Sequence, residues 1–101
     1  MSELVDNEPV HDGRWWVLVE ETAGTYQARR LLPIRAAEDR EDALRLAEEV
    51  ARTYEPTHPA FPRRRSLFRT PTDGWVVEVE GATASFHFTV IAAKWIESLP
   101  A

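Results

Sequence analysis

The sequence predicts an α+β fold in which an antiparallel five-stranded sheet carries one amphipathic helix on one face, with the elements in the order ββαβββ. Two observations predict this fold. One central segment has helical hydrophobic periodicity, and five short segments rich in β-branched and aromatic residues are separated by turn-forming residues. The length of 101 residues is that of a single domain, which we expect at 14–101, behind a flexible acidic tail at 1–13.

The first predicted strand runs from about Arg14 to Glu21, where tryptophan and valine dominate in RWWVLVEE. Small residues at Thr22–Gly24 predict a turn. The next segment, TYQARRLLPI, predicts a second strand. Pro33 within it indicates an edge position or the end of pairing, because proline has no N–H for a second neighbouring strand.

The segment from Asp39 to Tyr54 predicts one helix, because its apolar and charged residues fall on opposite arcs at helical spacing. Asp39 is placed to cap the first turn, and Pro56 ends the helix. The predicted apolar arc consists of Ala43, Leu44, Leu46, Ala47, Val50, Ala51 and Tyr54. The charged arc includes two pairs with favourable i,i+4 order, Glu41–Arg45 and Glu48–Arg52.

The chain after the helix predicts a connector followed by three strands. Prolines at every third residue (56, 59 and 62) indicate an extended connector. RRSLFRT, WVVEVE and SFHFTVIA then predict the strands, separated by the turn segments PTDG and GAT. The final segment AKWIESLP predicts a short helical turn that carries Trp95, Ile96 and Leu99.

Composition favours a soluble, cytoplasmic, non-catalytic protein. The chain has no cysteine, which excludes disulfides and thiolate chemistry, and its longest apolar runs are too short to cross a bilayer. The first twelve residues are acidic and do not resemble a signal peptide. The three histidines lack metal-ligand spacing, and no nucleophile or phosphate-loop motif occurs. We therefore expect no metal, cofactor or catalytic site, and no membrane partner.

A basic segment stands out in a chain whose net charge is −5. Arg63, Arg64, Arg65 and Arg69 lie in and beside the third predicted strand, and no acidic residue occurs between Pro56 and Thr72. Guanidinium groups on one strand can hold phosphates or stack on bases, so these residues are the candidate nucleic-acid contact. The alternative is that they bind acids of the same chain or of an acidic protein partner.

Aromatic residues predict a second kind of contact. One helix covers only part of one sheet face, while the strands carry apolar residues on both faces. Excess apolar surface favours a protein–protein contact, with a homodimer as the first hypothesis. The nucleic-acid module is the alternative, and a small-molecule domain with an aromatic pocket is the weaker one. The candidate interface or pocket residues are Trp15, Trp16, Trp75, Phe88 and Trp95.

Overall fold

The computed structural model describes residues 13–23 and 28–101. The elements along this part of the chain are β1 (Trp15–Ala23), β2 (Ala28–Ala37), α1 (Arg40–Thr53), β3 (Arg64–Thr70), β4 (Gly74–Glu80) and β5 (Ser85–Lys94). The strands form one antiparallel sheet in the order β2-β1-β5-β4-β3, with β5 at its centre. The predicted α+β class and the ββαβββ order are confirmed. No helix in the described ranges is long and apolar enough to cross a membrane.

The first two strands end later than expected, β1 at Ala23 instead of Glu21 and β2 at Ala37 instead of Ile34. β1 continues through Thr22 and Ala23, which pair with Arg29 and Ala28 of β2, so the predicted turn is wrong at these two positions. Gly24 and the predicted acidic tail, apart from Gly13, lie outside the described residues. β2 is an edge strand, as Pro33 indicated. A register shift opposite Val17 and Leu18 adds one residue to β2 beside this proline.

The helix begins and ends as the sequence predicts. The Asp39 side chain caps it by accepting a hydrogen bond from the Asp42 N–H at 2.8 Å, and Tyr54 is the C-cap. The predicted Glu48–Arg52 pair forms at 3.0 Å. Arg45 instead pairs with Asp42, three residues before it, at 2.8 Å. Asp42 thus takes the partner that was expected for Glu41.

The core lies between α1 and one face of the sheet. Alanines dominate the helix side of this contact and valines the sheet side, so the two layers approach closely. The buried helix residues are Ala43, Leu46, Ala47, Val50 and Ala51. The buried sheet residues that complete the core are Val17, Val19, Ala37, Val77, Val79, Phe88, Val90 and Ala92.

A turn between β3 and β4 fixes the start of the helix. Asp73 in this turn has a φ of 59°, in the left-handed region that aspartate tolerates better than most residues. Its carboxylate accepts hydrogen bonds from the guanidinium of Arg40, the first residue of α1, from Nε at 3.1 Å and from Nη2 at 2.8 Å to each oxygen. The turn is thereby joined to the helix N-terminus across the end of the sheet.

The C-terminal segment differs from the expectation. β5 continues through Ala93 and Lys94, and residues 95–101 have no regular secondary structure, so the predicted helical turn is wrong. The reason is strand pairing, because Ala93 and Lys94 lie opposite Trp16 and Trp15. The Trp95 N–H then donates to the Arg14 carbonyl at 2.9 Å.

The helix–sheet contact makes a first prediction. Val50 is buried against the sheet, so Val50→Asp places an unpaired charge in the core. We expect it to lower the free energy of unfolding by at least about 3 kcal/mol. Glu41→Asp, on the exposed side of the same helix, is the control and should change it by less than about 0.5 kcal/mol. Chemical denaturation measures both, and an unchanged midpoint for Val50→Asp would contradict the packing.

Candidate interaction surfaces

The sheet face turned away from α1, here called the open face, is divided into an apolar and a charged part. Because side chains alternate along a strand, the residues next to the buried valines lie on this face. Cross-strand pairing groups its apolar residues towards the end of the sheet where β1 begins: Trp16, Leu18, Leu31, Pro33, Phe68, Val76, Ile91 and Ala93. Glu20 lies at the boundary of this part, opposite Leu31 on β2 and Thr89 on β5, and the other charged residues lie further along, with His87 among them: Arg29, Arg64, Glu78 and Glu80.

The apolar part of the open face contains a groove of about 300 Å³. Its lining residues are Trp16, Leu18, Pro33, Ala93, Lys94 and Trp95. Trp95 packs edge-on against Trp16 with ring centroids 6.1 Å apart, and its indole N–H donates to the Ser98 hydroxyl. The C-terminal segment therefore forms one wall of the groove and leaves the rest of the face uncovered by described residues.

Two polar atoms associated with the open face lack hydrogen-bond partners within the described part of the chain. They are the Trp16 indole Nε1 and the Thr89 hydroxyl Oγ1, both shielded from solvent. Thr89 lies on the central strand β5, and Trp16 lines the groove. Such groups cost free energy when unpaired, so the face holds a donor and a hydroxyl whose hydrogen-bonding capacity is unused.

The five predicted aromatic residues do not form one pocket. Phe88 is fully buried in the core, and Trp15 and Trp75 pack partly buried against that core on the helix side of the sheet. Trp16 and Trp95 meet on the opposite face. The sheet separates these two groups, so only the second contributes to the groove.

The four predicted arginines are also divided. Arg65 lies towards α1, where its guanidinium donates to the carbonyls of Ala51 at 2.8 Å and Tyr54 at 2.7 Å. It also lies over the Phe88 ring, 5.7 Å from the centroid. Burial lowers the pKa of this guanidinium, and nearby Glu55 partly offsets that effect. Arg65 therefore binds the carbonyl end of the helix, where a cation is favoured.

The other arginines of this group remain at the surface. Arg69 stacks over the Trp75 ring at 5.4 Å and is exposed. Arg63 and Arg64 are exposed at the start of β3, and Arg64 lies opposite Glu80 on the open face. The basic segment thus supplies one cation to the helix and leaves three exposed at the β3 edge, with Arg64 on the open face and Arg69 on the helix side.

A buried acid near the C-terminal end of α1 was not singled out from the sequence. Glu21 is only 3% exposed, and its carboxylate accepts hydrogen bonds from the Tyr54 hydroxyl at 2.5 Å and the Thr57 N–H at 2.9 Å. Arg30 lies 3.4 Å from it. One signal was available: Glu21 continues the alternate positions of β1 that include the buried Val17 and Val19.

The Glu21 network joins β1, β2, the end of α1 and the connector that follows. Burial raises the pKa of the Glu21 carboxyl, but the hydrogen bonds from Tyr54 and Thr57 and the charge of Arg30 outweigh it and hold the pKa below 4.5. Burial and the bond to Glu21 raise the pKa of Tyr54 to about 12. Glu21 is thus ionised and surrounded by donors, an arrangement that stabilises the fold.

Within residues 13–23 and 28–101, no group of three histidine, aspartate or glutamate residues converges on a common point. No protein-family model, curated protein or solved structure matches the chain. Two surfaces of the described residues carry exposed apolar or basic side chains in groups: the open face and the edge of the sheet formed by β3.

The Glu21 network predicts how stability depends on pH. The folded-state pKa of Tyr54 lies above its ordinary value of 10.0, so the bond to Glu21 contributes fully below pH 10 and is lost between pH 10 and about 12. The lowered pKa of Glu21 acts in the opposite direction. Its contribution is present above pH 4.5 and is lost as the pH falls below that value towards the folded-state pKa.

Spectrophotometric titration of the two tyrosines tests this prediction. We expect one phenolate to form near pH 12 in the native protein and that transition to disappear in Tyr54→Phe. The same substitution should lower the free energy of unfolding at neutral pH by about 2 kcal/mol, because a buried carboxylate loses a donor. A titration in which both tyrosines ionise near pH 10 would contradict the network.

The division of the arginines makes a separate prediction. Arg65→Gln removes the charged donor from two helix carbonyls and should lower the free energy of unfolding by about 1–3 kcal/mol. Arg64→Gln is the matched control on the neighbouring residue and should change it by less than about 0.5 kcal/mol, because this side chain is exposed. Chemical denaturation measures both variants, and equal free energies of unfolding would contradict a capping role for Arg65.

Proposed function

We propose that this protein acts through protein–protein contacts and that its open face forms a homodimer. The observation that carries the proposal is the apolar part of that face, which the described residues leave uncovered. Leu31 is 58% and Phe68 is 56% exposed there, beside the half-buried Leu18, Val76 and Ile91. Contiguous apolar surface of this kind is costly in water and is typical of a contact surface.

The charges of the open face favour a second copy of the chain as the partner. Acidic residues at Glu20, Glu78 and Glu80 alternate with Arg29 and Arg64 on its charged part. Arg29 already pairs with Glu20 at 2.6 Å. A partner of one strong sign would meet repulsion as well as attraction on such a face. A second copy brings the same mixture of signs, which suits a two-fold interface.

The relief of the open face also suits a second copy. Ile91 on the central strand has Leu18 on one side and Gly74 on the other in the cross-strand register. The side chains on the β1 side of Ile91 are therefore larger than those on the β4 side. The outer strands show the same difference in size, because Pro33 of β2 lies beside Leu18 and Thr70 of β3 lies beside Gly74. A two-fold axis parallel to β5 places the larger side chains of one copy over the smaller ones of the other. Ile91 then lies near the axis and contacts its own counterpart.

The open face is large enough for a small dimer interface. Five strands of seven to ten residues make a sheet about 20 Å wide and roughly 25 Å long, or on the order of 500 Å² in projection. Side-chain relief raises the accessible area above that projection. Specific complexes bury about 800 Å² per partner, so stacking the two open faces gives an interface at the small end of the range for specific complexes.

The alternative functions have weaker support. Nucleic-acid binding would use the arginines of β3, but Arg65 is engaged with the helix, and Glu78 and Glu80 lie beside Arg64 on the open face. A small-molecule site would use the groove beside Trp16. Its volume of about 300 Å³ is at the lower end for ligand pockets, and Lys94 is the sole charged residue among its described lining residues.

Ile91→Glu tests the dimer. In the two-fold arrangement it places two like charges against each other in an apolar contact, so we expect it to dissociate the protein. Sedimentation equilibrium should give twice the chain mass for the wild type at micromolar concentration and the mass of one chain for Ile91→Glu. Circular dichroism establishes that the variant retains its fold.

Leu99→Glu is the matched control. Leu99 is an exposed apolar residue that lies outside the five strands in the chain and does not line the groove, so the same change in charge should leave the dimer intact. A wild-type protein that is folded and monomeric at high micromolar concentration would overturn the proposal. So would an Ile91→Glu variant that is folded and associates as strongly as the wild type.

A further inference from the structure

The two edges of the sheet are protected to different degrees. β2, at one edge, contains Pro33 and a register irregularity, both of which hinder the addition of another strand. β3, at the other edge, is a continuous seven-residue strand with no proline, and its register with β4 is regular. An edge strand directs alternate backbone N–H and C=O groups away from the sheet. β3 therefore presents a regular row of backbone groups that no residue of the described ranges pairs with.

The charges of the two edges differ in the same way. On β2, Arg29, Arg30 and Arg35 each lie within ion-pair distance of a glutamate of the same chain. At β3, neither Arg63 nor Arg64 makes an ion pair with a described residue. The nearest acid in the sheet register is Glu80, opposite Arg64. The positive charge of the β2 edge is neutralised locally, whereas that of the β3 edge is largely available.

The same arginines oppose pairing of β3 with its own copy. An antiparallel pair centred on Leu67 would place Arg65 directly opposite Arg69 of the second chain, and like charges directly opposite each other destabilise a strand pair. Arg63 and Arg64 would add further positive charge at both ends. The edge therefore discriminates against a second copy and favours a strand of opposite charge.

We propose that the β3 edge binds an extended acidic peptide segment of a partner protein, which adds to the sheet as a sixth strand. Backbone hydrogen bonds would supply the pairing, and glutamates or aspartates near both ends of the segment would meet Arg63 and Arg64 at one end and Arg69 at the other. Leu67 and Phe68, between these charges, offer apolar contact to the middle of the segment. This site lies on the rim of the sheet and does not require the dimer.

An acidic peptide fits this edge better than a nucleic acid does. Arg64 projects to the open face, whereas Arg69 lies on the helix side over Trp75, so the charges flank the strand on both faces. A peptide strand meets both, because its successive side chains alternate between the faces. A phosphate backbone following one face would meet one of these arginines, together with the acids of β4.

Fluorescence anisotropy with the full chain and a labelled peptide EEVTVTEE tests the proposal. Adjacent glutamates at both ends place carboxylates on both faces of an added strand. We expect saturable binding that weakens by about tenfold in the double variant Arg64→Glu, Arg69→Glu, because exposed charge pairs contribute modestly each. The control variant Arg29→Glu, on the opposite edge, should bind the peptide as the wild type does. Circular dichroism verifies that each variant folds.

Three further measurements decide the mode of binding. The same peptide N-methylated at its four central residues keeps its charges but cannot form the strand hydrogen bonds, so it should not bind. Equal binding of the methylated peptide would overturn strand addition, and tighter binding of a single-stranded oligonucleotide at the same arginines would assign the edge to nucleic acid instead. Ile91→Glu should retain peptide binding, which separates this proposal from the dimer.

Discussion

The close packing of an alanine-rich helix on a valine-rich sheet is the interaction on which the rest of the structure depends. Ala43, Ala47 and Ala51 have small side chains, so α1 approaches β1 and β5 closely and buries the valines between them. One helix of about 10 Å diameter lies across the middle of one face of a sheet about 20 Å wide. Because the described part of the chain contains no second helix, that packing leaves the opposite sheet face exposed.

Two charged side chains, Arg65 and Glu21, form hydrogen bonds with the C-terminal end of α1 and the residues that follow it. Arg65 binds carbonyls in the last turn, and Glu21 accepts hydrogen bonds from the C-cap residue Tyr54 and from Thr57 beyond it. The aromatic rings of Tyr54 and Phe88 lie edge to face between these two sites, 5.2 Å apart. The charged groups therefore serve the fold at this end, although each residue type alone is compatible with a functional site.

The two proposed contacts use surfaces that the fold leaves exposed, the open face and the β3 edge. The open face remains because a single helix covers the other one, and the β3 edge remains because the order of the strands places an unbroken strand there. The β2 edge contains a proline and local ion pairs, which hinder the addition of another strand. The β3 edge lacks a proline, and its Arg63 and Arg64 form no ion pair with a described residue. The different chemistry of the two edges is what makes β3 a specific surface.

The sequence by itself determined the local elements of this protein. The helix bounds, its buried side, the strands and the edge position of β2 follow from periodicity, capping and the missing N–H of Pro33, which all act within a few residues. The predicted C-terminal helical turn was wrong because pairing of Lys94 with Trp15 is a long-range interaction that local propensity does not include.

Tertiary structure alone decided the order of the strands, and with it the fate of the predicted site residues. It buried Phe88 in the core, placed Trp16 and Trp95 on the open face, and turned Arg65 towards the helix while Arg64 stayed exposed. It also brought Tyr54 to Glu21, 33 residues away in the chain. The physical reason is that these contacts depend on which strands become neighbours, and that choice is made by burial summed over the whole sheet.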